Sequence, residues 1–320
     1  MSRLLAFLGG HATWVLFVGV FLGLALPSLA SLARPLLAPA VAVLLTATLV
    51  RVDWRVMLGY LSRPGLVAVI VAWLLVGAPL ATAAVLAVLP LPGPLTTALV
   101  LMAAAPPILS AAPIAMILGL DGALALVVGL IATVLTPLTV PPLALALLGL
   151  ELDLGVAEFM SRLAVVVAVA LAAAVAIRRV IGRERLPRVA RHLDGLVVAV
   201  MLVFAVAIMD GVTATLAARP GTVALWLAAA FVANPALQLA GALAFAWLGR
   251  RRAFTIGLVS GNCNMGLLLA AFPPGTDTDV VLYFAVAQLP MYMLPALLLP
   301  LYRRLVTSPT DSESPTIRTG

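Results

Sequence analysis

The sequence has few charged residues and no lysine. Charged side chains make up 10% of its 320 residues and hydrophobic residues 64%, and all 19 basic residues are arginines. Soluble globular domains carry about 25% charged residues and are roughly half apolar, so this composition excludes that class. Together with a mean hydropathy of +1.22, it predicts an all-α polytopic membrane protein embedded in a lipid bilayer.

The chain also lacks the residues of common catalytic and metal sites. Its single cysteine, Cys263, excludes an internal disulfide bond and a cysteine cluster that binds metal. His11 and His192 lie near predicted helix ends, and no carboxylates cluster around them. We therefore expect no enzymatic activity and no cofactor. The excess of arginine predicts control of membrane topology rather than binding of nucleic acid.

Apolar runs separated by charged or proline-rich loops predict ten membrane-spanning helices. The predicted spans are 11–30, 35–50, 65–88, 95–120, 122–150, 163–177, 196–217, 222–248, 253–272 and 280–302. Runs of about 20 residues match a hydrocarbon core about 30 Å thick. Glu151–Glu158 is predicted to be an acidic loop between helices five and six.

The distribution of arginine predicts the orientation. If the N-terminus is cytoplasmic, 16 of the 19 arginines fall in cytoplasmic segments of the ten-helix arrangement. Loops rich in arginine stay on the cytoplasmic side, so we expect both termini in the cytoplasm and the protein in the cell inner membrane. Residues 306–320, rich in Ser, Thr and Pro, are predicted to form a disordered cytoplasmic tail.

Two predicted helices are interrupted by residues that disfavour a continuous helix. Residues 105–113 of helix four contain Pro106, Pro107 and Pro113, and residues 259–266 of helix nine contain two asparagines and two glycines. Dividing the chain into residues 1–150 and 151–305 gives two sets of five helices. Because five is an odd number, the second set starts on the opposite side of the membrane, so the two sets are predicted to be inverted repeats. The interrupted helix is the fourth in each set, and paired interruptions of this kind are typical of the binding sites of secondary transporters.

Polar residues at the interruptions are the candidate substrate site. We expect ligand contacts from the backbone at Pro106 and from Ser110, Asn262 and Asn264, with half-helix N-termini attracting a carboxylate. The alternatives are a proline kink repaired by neighbouring helices and asparagines that only hold helices together. Asn234 and Gln238 share a helix face, while Trp73 is interpreted as an interfacial aromatic residue.

The ten-helix arrangement resembles the bile acid:sodium symporter family. Ala105-Pro106, the turn Leu120-Asp121 and the segment Ala132–Leu138 are similar to that family's helices four and five, and Gly261 with Asn264-Met265-Gly266 is similar to its helix nine. The resemblance covers nearly the whole chain in arrangement, through short motifs. It implies crossing helices four and nine, alternating access between two domains, and transport of small organic anions or amphipathic organic acids.

The resemblance also implies Na⁺ as coupling ion, but this sequence departs from the family at the residues that bind it. The helix-nine glutamate and glutamine of the family fall on Val259 and Cys263 here, and a helix-four serine and asparagine fall on Ala111 and Ala112. Thr133, Ser260 and Gln288 are the remaining candidate ion-binding side chains. Coupling to sodium through carbonyl oxygens, coupling to protons and uncoupled transport all stay open.

These patterns predict a secondary active transporter of a small organic anion or amphipathic organic acid. An alternative is a sensory or scaffold membrane protein that retains the fold without transport, which would also explain the departures from the family. The expected partners are the organic acid and the lipid bilayer.

Overall fold

The computed structural model describes residues 12–52, 59–60, 63–149, 155–182, 186–272 and 275–306. Within these ranges the chain is almost entirely helical, and its one β-type pairing is an isolated bridge between Pro107 and Cys263. The predicted disordered tail lies outside the described residues from 307 onward, and so does much of the predicted acidic loop, residues 151–154.

Fourteen helices follow one another in the described residues. They are α1 (Ala12–Ala25), α2 (Pro27–Val50), α3 (Pro64–Leu86), α4 (Gly93–Ala104), α5 (Ala111–Ile117), α6 (Gly122–Leu148), α7 (Gly155–Ile181), α8 (Leu186–Ala207), α9 (Val212–Ala218), α10 (Pro220–Ala244), α11 (Arg250–Gly261), α12 (Met265–Ala271), α13 (Thr278–Leu297) and α14 (Leu299–Val306).

Seven helical segments in the described residues are long and apolar enough to cross a membrane. They are α2, α3, α6, α7, α10, α13 and the run Gly195–Ala218, which covers the end of α8 and all of α9. A helix satisfies its own backbone hydrogen bonds, which is the condition for crossing hydrocarbon. The protein is therefore an all-α, multi-pass membrane protein.

Several helix boundaries differ from the sequence prediction. For example, α7 continues to Ile181 and α8 begins at Leu186, within the region predicted as a loop between residues 177 and 196.

Two of the differences have a clear physical cause. The first helix ends at Ala25 rather than near residue 30, because Pro27 occupies the first turn of α2 and keeps Leu26 out of the helical conformation. Helix α7 begins at Gly155, so Glu158 lies in its first turn instead of in a loop. There Glu158 forms an ion pair of 2.9 Å with Arg162, and an acidic residue also stabilises a helix N-terminus.

Helix directions and contacts distinguish two ends of the bundle. At one end, Arg178 donates hydrogen bonds of 2.6 and 2.8 Å to the carbonyl oxygens of Val50 and Val52, at the end of α2. At the same end Arg251 donates to the carbonyl of Leu120, at 3.3 Å. We call this the arginine end, defined by Arg51, Arg63, Arg178 and Arg251.

Ion pairs lie at the opposite end. Arg34 donates to Asp210 at 3.0 Å, which connects α2 to the turn after α8. Arg219 donates to both carboxylate oxygens of Asp279, at 2.6 and 3.0 Å, and connects the start of α10 to the start of α13. Charged groups therefore lie at both ends of the helices.

The interior consists of two hydrophobic clusters. The larger one includes residues of α2, α4, α7, α8, α12 and α13. The smaller one joins the first half of α3 to α5, the first half of α6 and α11. The short helices α5 and α11 are thus packed with α3 and α6.

Glycines allow α10 and α11 to pack backbone against backbone. A Cβ atom on Gly257 would lie 2.4 Å from the carbonyl oxygen of Gln238, and one on Gly261 would lie 2.5 Å from that of Asn234. Both distances are well inside van der Waals contact. Small residues four positions apart are a common means of close helix packing in membranes, and here they hold the interrupted end of α11 against α10.

Candidate functional site

The two interrupted helices cross at their interruptions. Between α4 and α5, the amide of Ile108 donates a hydrogen bond of 2.8 Å to the carbonyl of Asn262; the amide of Asn264 donates one of 2.6 Å to the carbonyl of Pro106. These bonds flank the bridge between Pro107 and Cys263. Each interruption therefore satisfies backbone groups that the other leaves without helical partners.

Proline chemistry produces the first interruption. Helix α4 ends at Ala104, and Ala105 is extended at φ −67° and ψ 141°. A residue that precedes proline disfavours the helical conformation, and two consecutive prolines remove two amide donors. The chain resumes a helix at Ala111, where Ser110 occupies the N-cap position without a side-chain hydrogen bond to the helix.

Two asparagines bound the second interruption. Asn262 follows the last residue of α11, and its Nδ2 donates to the carbonyl of Leu258 at 2.8 Å. Asn264 precedes α12, and its Oδ1 accepts from the amide of Leu267 at 3.2 Å. Asn264 thus caps α12, a role that asparagine commonly takes at a helix N-terminus.

A chain of buried side-chain hydrogen bonds supports the second interruption from α10. Asn234 Nδ2 donates to the carbonyl of Gly261 at 2.8 Å, and Gln238 Nε2 donates to Asn234 Oδ1 at 2.6 Å. Tyr302 then donates its hydroxyl proton to Gln238 Oε1 at 2.5 Å. The helix face shared by Asn234 and Gln238 is therefore structural, since it holds the last carbonyl of α11.

Trp73 contacts α11, contrary to its interpretation as an interfacial residue. Its indole Nε1 donates to Ser260 Oγ at 3.1 Å, and Ser260 in turn donates to the carbonyl of Ile256 at 2.8 Å. A π-helical turn, Trp73–Gly77, lies at this position in α3. Gly77 is the one sequence feature that fits this arrangement, because a Cβ atom at this position would lie 2.8 Å from the Trp73 ring.

A cavity of about 730 Å³ lies beside the crossing. Residues of α2 from Val41 to Thr48, a distance of roughly 10 Å along the helix axis, line it together with Arg51 and Val52, which follow the helix. The part of the cavity near the arginine end is lined by Arg51, Met116, Ala123 and Val197. The part near the crossing is lined by Phe204, Asn264, Gly266 and Gln288. Most of the remaining wall is apolar, so the cavity has an arginine at one end and amide side chains at the other.

The cavity brings together three of the seven residues predicted to form the site. Ser110, Asn264 and Gln288 line it, together with Tyr292, which lies one turn after Gln288. Sequence reasoning missed Tyr292 and Arg51. The spacing of four residues between Gln288 and Tyr292 was the available signal, since such a pair shares a helix face.

The other four predicted residues do not line the cavity. Pro106 and Asn262 take part in the crossing through their backbone. Thr133 is buried and donates its hydroxyl proton to the carbonyl of Gly129 at 2.7 Å within its own helix, as membrane threonines commonly do. Ser260 is the hydroxyl that accepts from Trp73.

Only one of the three candidate ion-binding side chains, Gln288, lines the cavity. Hard cations need several oxygen ligands, and Thr133 and Ser260 offer one hydroxyl oxygen each, whose proton is donated to a carbonyl of its own helix. Asn262 Oδ1 and Gln288 Oε1 are the buried side-chain oxygens without a partner in the described residues. Nowhere in that part of the chain do three His, Cys, Asp or Glu side chains lie close enough to hold a metal ion.

A second polar network connects the interrupted helices at the arginine end. Asp121 accepts from the amide of Leu124 at 3.0 Å and caps α6, while its own amide donates to Thr255 Oγ1 at 2.9 Å. The Tyr60 hydroxyl donates to the Asp121 carboxylate. Burial, and next this hydrogen bond, raise the pKa of Tyr60 to about 12. The turn after α5 is therefore fixed to α11 and to the segment before α3.

No protein-family model matches the sequence, and no curated protein matches it significantly.

Proposed function

We propose that the protein is a secondary active transporter that moves a small organic anion or amphipathic organic acid across the cell inner membrane by alternating access. The observation that carries this proposal is the crossing of two interrupted helices, paired through their backbones, beside a cavity of about 730 Å³. Interrupted helices that cross next to a cavity are a recurrent arrangement in transporters, because they free backbone groups in the middle of the membrane.

In this proposal the chain crosses the membrane ten times. Seven crossings are the long apolar segments, and the other three are α1, the pair α4–α5 and the pair α11–α12. The first five crossings form one repeat and the last five an inverted one, with the interrupted pairs as the fourth member of each. The arginine end faces the cytoplasm, together with both termini, in accordance with the positive-inside rule.

The chemistry of the cavity favours an amphipathic anion. Its walls are mainly apolar, with Leu44, Leu45, Met201 and Met291 among them, and Arg51 lies near its outer end. An apolar ligand body gains free energy by leaving water, and a carboxylate or sulfonate gains from the guanidinium. The resemblance to the bile acid:sodium symporter family supports the same class of substrate.

No sodium step is part of the proposal. The resemblance implies sodium, but at the aligned positions Val259, Cys263, Ala111 and Ala112 the side chains offer no oxygen ligands. Transport with and without a sodium gradient therefore belongs in the test.

The test is uptake of radiolabelled octanesulfonate, which stays ionised and crosses lipid slowly, into proteoliposomes. We expect uptake above that of empty liposomes, its loss in Asn264→Ala, and its retention in Thr136→Ala. Thr136 is also buried and polar, but it bonds only to its own helix, at Ala132, and does not line the cavity. Binding of octanesulfonate without uptake would contradict transport and favour a sensory or scaffold protein.

A further inference from the structure

Gln288 has a carbonyl oxygen without a partner at the inner end of the cavity. Its Nε2 donates to the carbonyl of Phe284 at 3.1 Å. Because that carbonyl can only accept a hydrogen bond, the side-chain amide of Gln288 must direct its nitrogen toward it. Oε1 is therefore the atom of this amide that has no hydrogen-bond partner. Gln288 is 1% exposed, and its Oε1 accepts no hydrogen bond from any described residue. Such a buried acceptor destabilises the protein until a donor reaches it.

Asn264 offers the complementary group on the same cavity. Its Oδ1 accepts from the amide of Leu267, so its Nδ2 is the donor that remains. Asn264 is half-buried and lines the cavity, and among the described residues no acceptor is bonded to its Nδ2. The inner end of the cavity therefore presents one hydrogen-bond acceptor and one donor, on Gln288 and Asn264.

This pair distinguishes between polar groups on a ligand. A hydroxyl or a secondary amide both donates and accepts one hydrogen bond, so it satisfies Gln288 Oε1 and Asn264 Nδ2 together. An ester or ketone only accepts, and a carboxylate would place its negative oxygens against Gln288 Oε1. An anionic group fits better at the other end, where Arg51 lies. Along α8 the two ends, near Val197 and Phe204, are about 10 Å apart.

We infer that the cavity selects organic acids that carry, at the end remote from their anionic group, a neutral group that both donates and accepts a hydrogen bond, and that Gln288 determines this preference. The inference rests on the proposed function for the identity of the cavity as a substrate site. It adds a preference to the proposed function: an amphipathic anion without such a group still binds in the cavity, but roughly tenfold more weakly.

Four acids of similar length test this preference. The probes are ω-hydroxydecanoate, ω-acetamidooctanoate, monomethyl sebacate and decanoate, which end in a hydroxyl, an amide, an ester and a methyl group. Their dissociation constants are measured from the rise in melting temperature of the protein in lipid nanodiscs. We expect the hydroxyl and amide acids to bind roughly tenfold more tightly than the ester and methyl acids.

Two matched variants identify the residue responsible. Gln288→Met removes the acceptor at similar volume and leaves the Asn264 donor in place, so the hydroxyl and amide acids should then bind no more tightly than the ester acid. The unliganded protein should stay at least as stable as the wild type. Gln238→Met makes the same change at a buried glutamine that does not line the cavity. It should lower the melting temperature through the loss of its bonds to Asn234 and Tyr302, yet keep the roughly tenfold preference.

Three outcomes would overturn the inference. They are equal binding of the four acids to the wild type, an unchanged preference in Gln288→Met, and failure of all four acids to raise the melting temperature. The binding measurement is independent of transport. If the protein binds the hydroxyl and amide acids more tightly but transports none of the acids, the proposed transport is wrong and the selectivity of the cavity stands. If it transports acids but binds all four equally well, transport stands and the selectivity is wrong.

Discussion

The amide of Ile108 donates a hydrogen bond of 2.8 Å to the carbonyl of Asn262, across 154 residues of sequence. With the reciprocal bond from Asn264 to Pro106, it joins the two interruptions at a single point. Neither interruption can shift along the other without breaking both bonds inside a low-dielectric interior, where unpaired backbone groups are costly. The interrupted helices are therefore expected to move as one body in any conformational change.

Close packing of α10 on α11 should make Gly257 intolerant of any side chain. We expect Gly257→Ala to lower the free energy of unfolding by about 1–3 kcal/mol, because its Cβ would lie 2.4 Å from the carbonyl oxygen of Gln238. The control is Gly221→Ala in α10, where no atom lies within 4 Å of the new Cβ. There we expect no loss, or a gain of about 0.5–1 kcal/mol. The melting temperatures of both variants are measured in the same detergent. An equal change at both positions would contradict the close packing of α10 on α11.

The bond from Asn234 to Gly261 should be structural rather than a ligand contact. In Asn234→Leu, the carbonyl of Gly261 and the amide of Gln238 both lose a buried partner, each at a cost of about 1–3 kcal/mol. We expect a large fall in melting temperature with the relative affinities of the four acids unchanged. The control is Thr136→Val, which removes a buried hydroxyl that bonds only within its own helix. A fall in melting temperature as large as that of Asn234→Leu would argue against a special role for Asn234.

The sequence predicted much of the fold because it is dominated by one strong constraint. Apolar helical runs follow from the need to satisfy the backbone in hydrocarbon. Their arginine boundaries follow from the cost of a charge there, and the proline-rich interruption follows from a residue that cannot continue a helix. Boundaries governed by weaker effects were missed. Glu158 was assigned to a loop from its charge, although an ion pair with Arg162 and the first turn of α7 accommodate it.

The candidate site could be predicted only in part, because local patterns do not reveal which polar groups are already bonded. Ser110, Asn264 and Gln288 were selected by type and position and do line the cavity. Trp73 gave no sign of reaching Ser260, 187 residues away. The contact lies at the π-helical turn of α3, whose sequence has no clear signature beyond Gly77.

Alkaline pH should weaken the connection between Tyr60 and Asp121. Folding favours the neutral phenol, since burial and the bond to Asp121 raise the pKa of Tyr60 from 10.0 to about 12. The resulting stabilisation is complete below pH 10.0 and is lost as pH rises through about 12. Tyr60→Phe should therefore melt at a lower temperature than the wild type at pH 8 and lose less stability between pH 10 and 12. Parallel pH profiles for the two proteins would show that Tyr60 does not contribute in this way.

Arg51 should attract the anionic group of a ligand, whereas Arg63 should not. Both are exposed arginines at the same end, but only Arg51 lines the cavity. Because exposed charge pairs contribute about 0.2–1 kcal/mol, Arg51→Gln should weaken the binding of ω-hydroxydecanoate by roughly two- to fivefold. Raising the salt concentration should reduce the difference from the wild type, since mobile ions screen exposed charges. Arg63→Gln removes an equal charge from the same end and should leave the dissociation constant unchanged. An equal loss of affinity in both variants would mean that the net positive charge of this end, rather than the position of Arg51, attracts the acid.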